Sequence, residues 1–310
     1  MNCLGDPMKF SQRWRWWRER RRDHPPDDIH RAGELAEQRL AKISRAAGKK
    51  NGWHVFESVR IPDVEQGGKR EIDLVIVGGN TLLVVEQKHW SGSFVINAQE
   101  EFIQHRKNGT THNHSTVNQR ITRKSRMLVA MHRARVGKDE DVDVRVVLAF
   151  TNRNLDWPGN VDQLSSIVKD ESGFIALLEN EDPGELNAAL LETVAGFGTW
   201  DEVQLNGGLM CKGDLLDLGL GDDVQAWQTT RTDGLLASVH HQQGLFSLLS
   251  STPSSIELSH GKQHLKASLP YGACLRMHVV GREAPEDILW STVAGINLSK
   301  PPTSGLENGA

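Results

Sequence analysis

Asp73, Glu86 and Lys88 are the residues whose types and spacing could do chemistry. They lie in the stretch 69–93, KREIDLVIVGGNTLLVVEQKHWSGS. Two apolar runs, 71–77 and 81–87, flank Gly78, Gly79 and Asn80, and that punctuation is a hairpin signal. A tight turn centred on Gly79-Asn80 sets Gly78 opposite Thr81. Counting back along both strands then sets Asp73 opposite Glu86, and Glu71 opposite Lys88. Facing residues of an antiparallel pair have Cβ atoms roughly 5 Å apart on one side of the sheet, and strand alternation adds Lys88 to that side. Two carboxylates so close repel each other unless a cation or a shared proton lies between them. The surrounding residues 74–77 and 82–85 are apolar on both faces, as in a sheet covered on both sides. A buried Asp/Glu pair beside a lysine is therefore a functional-site candidate. Glu71 leaves two readings of Lys88 open: an ion pair that holds the amine away from chemistry, or a tether that positions it.

The elements that must hold these groups are legible on either side. Residues 31–48, RAGELAEQRLAKISRAAG, read as a glycine-ended helix with a buried stripe at Ala36, Leu40, Ile43 and Ala47. Glu37 borders the stripe and can reach the sheet, whereas Glu34 points more nearly away. Residues 53–61 read as a first strand, 89–96 (HWSGSFVI) as a turn and another strand, and 101–107 as its continuation. Residues 115–136 form a second helix with a stripe at Val117, Ile121, Leu128 and Met131. The rest of its surface carries Arg120, Arg123, Lys124, Arg126, Arg133 and Arg135, which could neutralise phosphates or form a plain solvated face. Residues 142–150 are a strongly apolar strand, and 161–168 and 183–197 read as further helices. His112 and His114, in GTTHNHST, have no cysteine partners and read as polar loop surface rather than metal ligands.

Asp73 followed by Glu86-Gln87-Lys88 has the form of the PD-(D/E)XK motif of restriction-endonuclease-like nucleases. More specifically, EIDLVIVGGNTLLVVEQKHWSGSF is similar to the nuclease-related domain, NERD, whose pattern is roughly IDxVxV…GxxxxExKxxxG. The likeness covers about residues 31–150 and includes the aromatic after Lys88 and Gly92. It implies an α/β fold with an αβββαβ core and Mg²⁺-dependent (or Mn²⁺-dependent) hydrolysis of phosphodiester bonds in DNA, or less so RNA. Asp73 and Glu86 would hold the ion, with the main-chain carbonyl of Gln87 completing its shell. Gly33-Glu34-Leu35-Ala36-Glu37 fits the family's GExxE helix start, so Glu37 would add a further carboxylate. Lys88 would orient or deprotonate the attacking water and stabilise the phosphoryl oxygens. Gln119 sits where related nucleases carry a glutamine on the helix after ExK, and Arg120, Arg123 and Lys124 are the expected nucleic-acid contacts. The rival from another class is a NERD-like fold without turnover that serves as a nucleic-acid-binding or scaffold module.

The whole chain, with 36 basic against 40 acidic residues and a net charge of −4, is no obvious nucleic-acid binder. Its 310 residues suffice for two domains. The expected divisions are a leader at 1–28, the NERD-like domain at 29–198, a β-rich domain at 199–300 and a disordered tail at 301–310. The leader, with FSQRWRWWRERRRDHPPDD, reads as a mobile segment whose tryptophans pack on the domain, as a surface for anionic membranes, or as one for nucleic acid. From Trp200 on, strand-length pieces broken by Gly, Asn and Asp suggest a small all-β barrel or sandwich, a candidate surface for a protein partner. Three scattered cysteines, no signal-peptide pattern and no apolar run of about 20 residues give an intracellular default, cytoplasmic or at the membrane periphery.

Overall fold

The computed structural model describes residues 10–26, 28–137, 141–158, 167–220, 235–242, 244–250, 252–260 and 262–299. The expected tail at 301–310 lies outside them, as do residues 161–166. The chain divides into two compact units, Asp28–Thr199 being one and Met1–Asp27 with Trp200–Pro301 the other. The basic leader therefore does not stand alone. Its helix α1 (Phe10–Glu19) belongs to the β-rich unit.

The larger unit opens with α2 (Asp28–Asn51), longer at both ends than the periodicity alone suggests. Strands β1 (His54–Pro62), β2 (Lys69–Gly78) and β3 (Thr81–Lys88) follow as an antiparallel meander. Gly78 pairs with Thr81, as the apolar pattern and turn predict. Gly79 takes a positive φ of 55°, and a Cβ there would lie 1.5 Å from the Pro183 carbonyl oxygen, so the turn admits glycine alone. After β3 the chain builds a small second layer of β4 (Gly92–Ile96), β5 (Phe102–His105) and β6 (Thr111–His114). It then enters α3 (Val117–Val136) and returns as β7 (Asp143–Phe150), parallel to β3. The short strand β8 (Leu155–Asp156) pairs with β4. The described part of the segment expected as helix at 161–168 is instead the start of strand β9 (Ile167–Asp170), parallel to β7; helices α4 (Glu171–Asn180) and α5 (Ala188–Ala195) come after it. Val168 packs in the core beside β7, and an edge strand of four residues shows too little alternation to be told from a helical turn.

The main sheet thus runs β1-β2-β3-β7-β9. Leu40 and Ala41 of α2, with Phe174 and Leu178 of α4, pack on Leu74, Ile76, Leu83 and Val85. Ile121 and Leu128 of α3, with Leu190 and Val194 of α5, pack on Val75, Val77, Leu82 and Val84. Both faces are covered, which is why these strands lack polar alternation.

Gly92, part of the motif, has a positive φ of 86°, and a Cβ on it would lie 2.0 Å from the His105 carbonyl oxygen of β5. Close pairing of β4 with β5 is thus what the motif glycine secures. Gly92→Ala is expected to destabilise the unit by about 2 kcal/mol through combined φ strain and this clash, read as a lowered urea midpoint.

The β-rich unit is an eight-stranded, all-antiparallel sheet that curls into a half-barrel. Its strands are β10 (Asp201–Leu205), β11 (Met210–Asp217), β12 (Leu235–His241), β13 (Ser254–His260), β14 (Gln263–Leu269), β15 (Cys274–Val279), β16 (Glu286–Leu289) and β17 (Val293–Leu298). Trp290, Leu275, Met277 and Ile296 are among the residues of its core. Within this unit Trp16 of α1 is buried edge-on to Tyr271, 4.9 Å between ring centroids, and Arg13 Nη1 donates to the Leu248 carbonyl at 3.1 Å.

Candidate active site

The β2–β3 ladder stops where the carboxylates begin. The β2–β3 register ends at Leu74 with Val85, so its next step brings Asp73 to Glu86. The β1–β2 register skips Asp73 and its opposite Ser58, a non-glycine residue at φ 50°. Gln87, paired with Ala149 of β7 on one side and past the end of the β2 ladder on the other, donates its backbone N–H to Asp73 Oδ2 at 2.7 Å. Glu86 accepts from two ammonium groups: Lys88 Nζ to Oε1 at 2.7 Å and Lys124 Nζ to Oε2 at 2.9 Å. All three side chains are mostly buried, with 16% of Glu86, 21% of Lys88 and 17% of Lys124 exposed.

The electrostatics follow from that arrangement. Burial, then the charge of Glu86, raises the Asp73 pKa to about 7, with Glu37 adding to the push and both lysines opposing it. Burial would raise Glu86 as well, but Lys88 and Lys124 outweigh it and its pKa falls. For Lys88, burial favours the neutral amine, yet Glu86 and then Asp73 overcome it and its pKa rises. Burial and then the Glu86 charge thus disfavour ionisation of Asp73, and Lys88 stands as a cation bonded to Glu86.

Residues 32–151 match the family model of the nuclease-related domain. This unit carries a NERD domain. The match begins within α2 and ends one residue past β7, so it spans every group just described. No curated protein and no solved structure matches the chain.

Within the NERD domain the other expected residues divide. Glu37 of α2 acts electrostatically on both Asp73 and Lys88. Lys124, expected on phosphate, reaches Glu86 instead. Arg120 is exposed one turn before it on α3. Arg123, also expected on phosphate, is committed to Asp63: Nη1 and Nη2 donate to its two carboxylate oxygens at 2.8 and 2.7 Å, and Nη2 also reaches Glu65 at 3.0 Å. Arg70 and the backbone N–H groups of Glu65 and Gln66 complete the shell of Asp63. The Arg123 guanidinium holds that carboxyl far below the usual carboxylate range. Arg123 thus ties the β1–β2 loop to α3. Gln119 lies about 140° around the helix from Lys124 and lines a groove with Val64, Thr122 and Arg126, so the structure does not bring it to the carboxylates. Gln87 directs its side chain to Thr151 Oγ1 at 3.0 Å, while Thr151 N donates to the Lys88 carbonyl at 3.0 Å, fastening β3 to the end of β7.

Two features escape sequence reasoning. An aromatic box of Trp90, Phe94, Phe102, Phe150 and Trp157 stands at the end of β3; Phe94 stacks on Phe150 at 5.0 Å, and Trp90 meets Phe150 at 5.2 Å. His114, expected on a polar loop, is the last residue of β6, where it stacks on Trp90 at 4.1 Å. The alternation in THNH was the available signal, since period two in so polar a strand puts His112 and His114 on one face.

Among the described residues, no group of three or more His, Cys, Asp or Glu side chains is arranged to hold a metal ion. The donor chemistry at the hairpin nonetheless fits a hard divalent cation: carboxylate oxygens of Asp73 and Glu86, with Glu37 close enough to raise the same pKa. A cation there would offset the burial, and then the Glu86 charge, that hold Asp73 at about 7.

Proposed function

We propose that the NERD domain is a metal-dependent nuclease that hydrolyses phosphodiester bonds of DNA, ahead of RNA. The observation that carries this reading is the convergence of Asp73, Glu86, Lys88 and Lys124 at one end of the hairpin, with Glu37 adding its charge. Asp73, Glu86 and the Gln87 main-chain carbonyl would hold Mg²⁺ or Mn²⁺, with Glu37 beside them. When bound, the ion lowers the pKa of a coordinated water and offsets charge on the phosphoryl oxygens. Lys88 supplies a fixed positive charge to the same oxygens, and burial strengthens that interaction. Lys88 and then Lys124 keep Glu86 ionised. Exposed Arg120, one helical turn away, is placed to meet the backbone of an entering strand.

Plasmid and single-stranded DNA incubated with the full chain and Mg²⁺ or Mn²⁺ test the reading. Cleavage is expected, falling by about 100-fold or more in Asp73→Ala and in Lys88→Ala. DNA that is bound but left intact would instead support the second reading, a binding module. That reading is favoured by the two lysines that already neutralise Glu86.

A peripheral membrane role rests on α1. No helix among the described residues is long and apolar enough to cross a membrane. However, α1 exposes Phe10 and Trp14 beside Arg15 and Arg18, a mixture suited to an anionic interface. Flotation with phosphatidylserine vesicles should carry the protein upward at low salt, and Phe10→Glu with Trp14→Glu should leave it at the bottom; equal flotation of both proteins excludes this surface.

A further inference from the structure

Both oxygens of Glu86 are taken. Lys88 Nζ donates to Oε1 at 2.7 Å and Lys124 Nζ to Oε2 at 2.9 Å, so two ammonium groups hold the oxygens that a divalent ion would need. They are held differently. Lys88 belongs to β3, is paired there with Phe150 of β7, and its carbonyl accepts from Thr151 N. Glu86, Asp73 and Glu37 all attract its charge. Lys124 reaches in from a separate element, α3, and bonds Glu86 Oε2. A lysine ammonium rides on a flexible four-carbon stem, so Nζ can leave that oxygen while the helix stays in place.

Charge decides when it leaves. The carboxylates acting at this end of the hairpin are Asp73, Glu86 and Glu37, and the ammonium groups are Lys88 and Lys124. A divalent ion added to that set leaves positive charge in excess even with every carboxylate ionised, and burial of the groups strengthens the repulsion. Departure of Lys124 removes the excess, provided its ammonium finds another anion. The surface of α3 offers a place for one. Arg120, four residues earlier and so beside Lys124 on the helix surface, is exposed and makes no ion pair among the described residues. A phosphodiester group carries one negative charge and enough acceptor oxygens for a guanidinium and an ammonium together.

We infer that Lys124 is an exchangeable counter-ion, which neutralises Glu86 until a nucleic-acid strand arrives and then passes to a backbone phosphate beside Arg120, leaving Glu86 Oε2 to the divalent ion. The inference rests on the nuclease reading and adds a coupling to it. Lys124 opposes the ion while DNA is absent and holds DNA once the ion is present, so each ligand strengthens binding of the other. Linkage makes the effect reciprocal: the factor by which DNA raises affinity for the ion is the factor by which the ion raises affinity for DNA. The same exchange explains why a site with the donors for a metal ion keeps two lysines on one of its carboxylates.

Titration of the full chain with Mn²⁺, followed by the electron paramagnetic resonance of the free ion, tests this with and without a phosphorothioate DNA duplex that resists cleavage. Without DNA, Lys124→Met and Lys124→Gln should each bind Mn²⁺ about 10-fold more tightly than wild type. The duplex should raise the affinity of wild type for Mn²⁺ by about 10-fold or more, and that of either variant by less. Arg120→Met removes the same charge one turn away without freeing Glu86, so it should weaken DNA binding and leave Mn²⁺ binding in the absence of DNA as in wild type. On cleavable DNA, Lys124→Met should be slower than wild type even at saturating Mn²⁺. Lys124 variants that bind Mn²⁺ no more tightly than wild type, or a gain equalled by Arg120→Met, overturn the exchange, while cleavage by wild type keeps the nuclease reading standing. A wild-type protein that takes up no Mn²⁺ with or without the duplex overturns both.

Discussion

Asp73→Asn is expected to make the metal-free protein more stable above pH 7 while it abolishes cleavage. The carboxyl of Asp73 titrates at about 7 in the folded chain because burial and then Glu86 disfavour its charge, whereas in an unfolded chain it titrates near 3.9. Between those values the folded state holds more protons than the unfolded one. The contribution of Asp73 to stability is therefore full below about pH 4 and is lost as pH rises through about 7. The loss is at most about 4 kcal/mol, and relaxation of the site reduces it to about 1–3 kcal/mol. Asparagine carries no charge at any of these pH values, and its Oδ1 can still accept the bond from Gln87 N that Asp73 Oδ2 now accepts. Urea unfolding in EDTA should show the variant ahead of wild type at about pH 8 and level with it at about pH 4. A variant less stable at the higher pH would mean that ionising Asp73 costs the fold nothing, and the case for a cation between the carboxylates would fall with it.

The hairpin that brings Asp73 to Glu86 was legible because its cause is local. Apolar runs on either side of Gly79-Asn80 specify both the turn and the register, and the register decides which side chains meet. Coverage of the sheet on both faces was legible for the same reason, as was the all-β character of the C-terminal unit. Other features were not, because their causes are distant in sequence. Nothing around Lys124 distinguishes it from Arg120 or Arg123, and only the position of α3 over β3 sends one cation to Glu86, another to Asp63 and leaves the third exposed. Gln119 was misplaced by motif spacing, which takes no account of helical phase. His114 looked like loop surface because its partners, Trp90 of the β3–β4 connection and Gln104 of β5, come from elsewhere in the chain. Packing of the leader's tryptophans was one of three readings left open, and Trp16 is buried against Tyr271, a partner too distant in sequence to be named beforehand.

The aromatic box supplies the other large effect, since Phe150→Ala should lower both stability and turnover. Phe150 is 1% exposed. Its ring stacks on Phe94 and takes the edges of Trp90 and Trp157. Truncating a phenylalanine in so closed a setting costs about 3–5 kcal/mol, from lost transfer energy and from a cavity that packed rings cannot fill. For a unit of this size that corresponds to a melting temperature lower by about 10 °C. Phe150→Leu, which retains most of the volume, should cost about 1.5 kcal/mol or less. Turnover should suffer beyond the fraction unfolded, because Phe150 is the Cα partner of Lys88 and the wall behind Trp90. With that wall gone, Trp90 and the end of β3 that carries Lys88 are no longer held, and kcat should fall at temperatures where the variant is still fully folded. A variant that melts early but, while folded, turns over as fast as wild type would show that the box stabilises the fold without positioning the site.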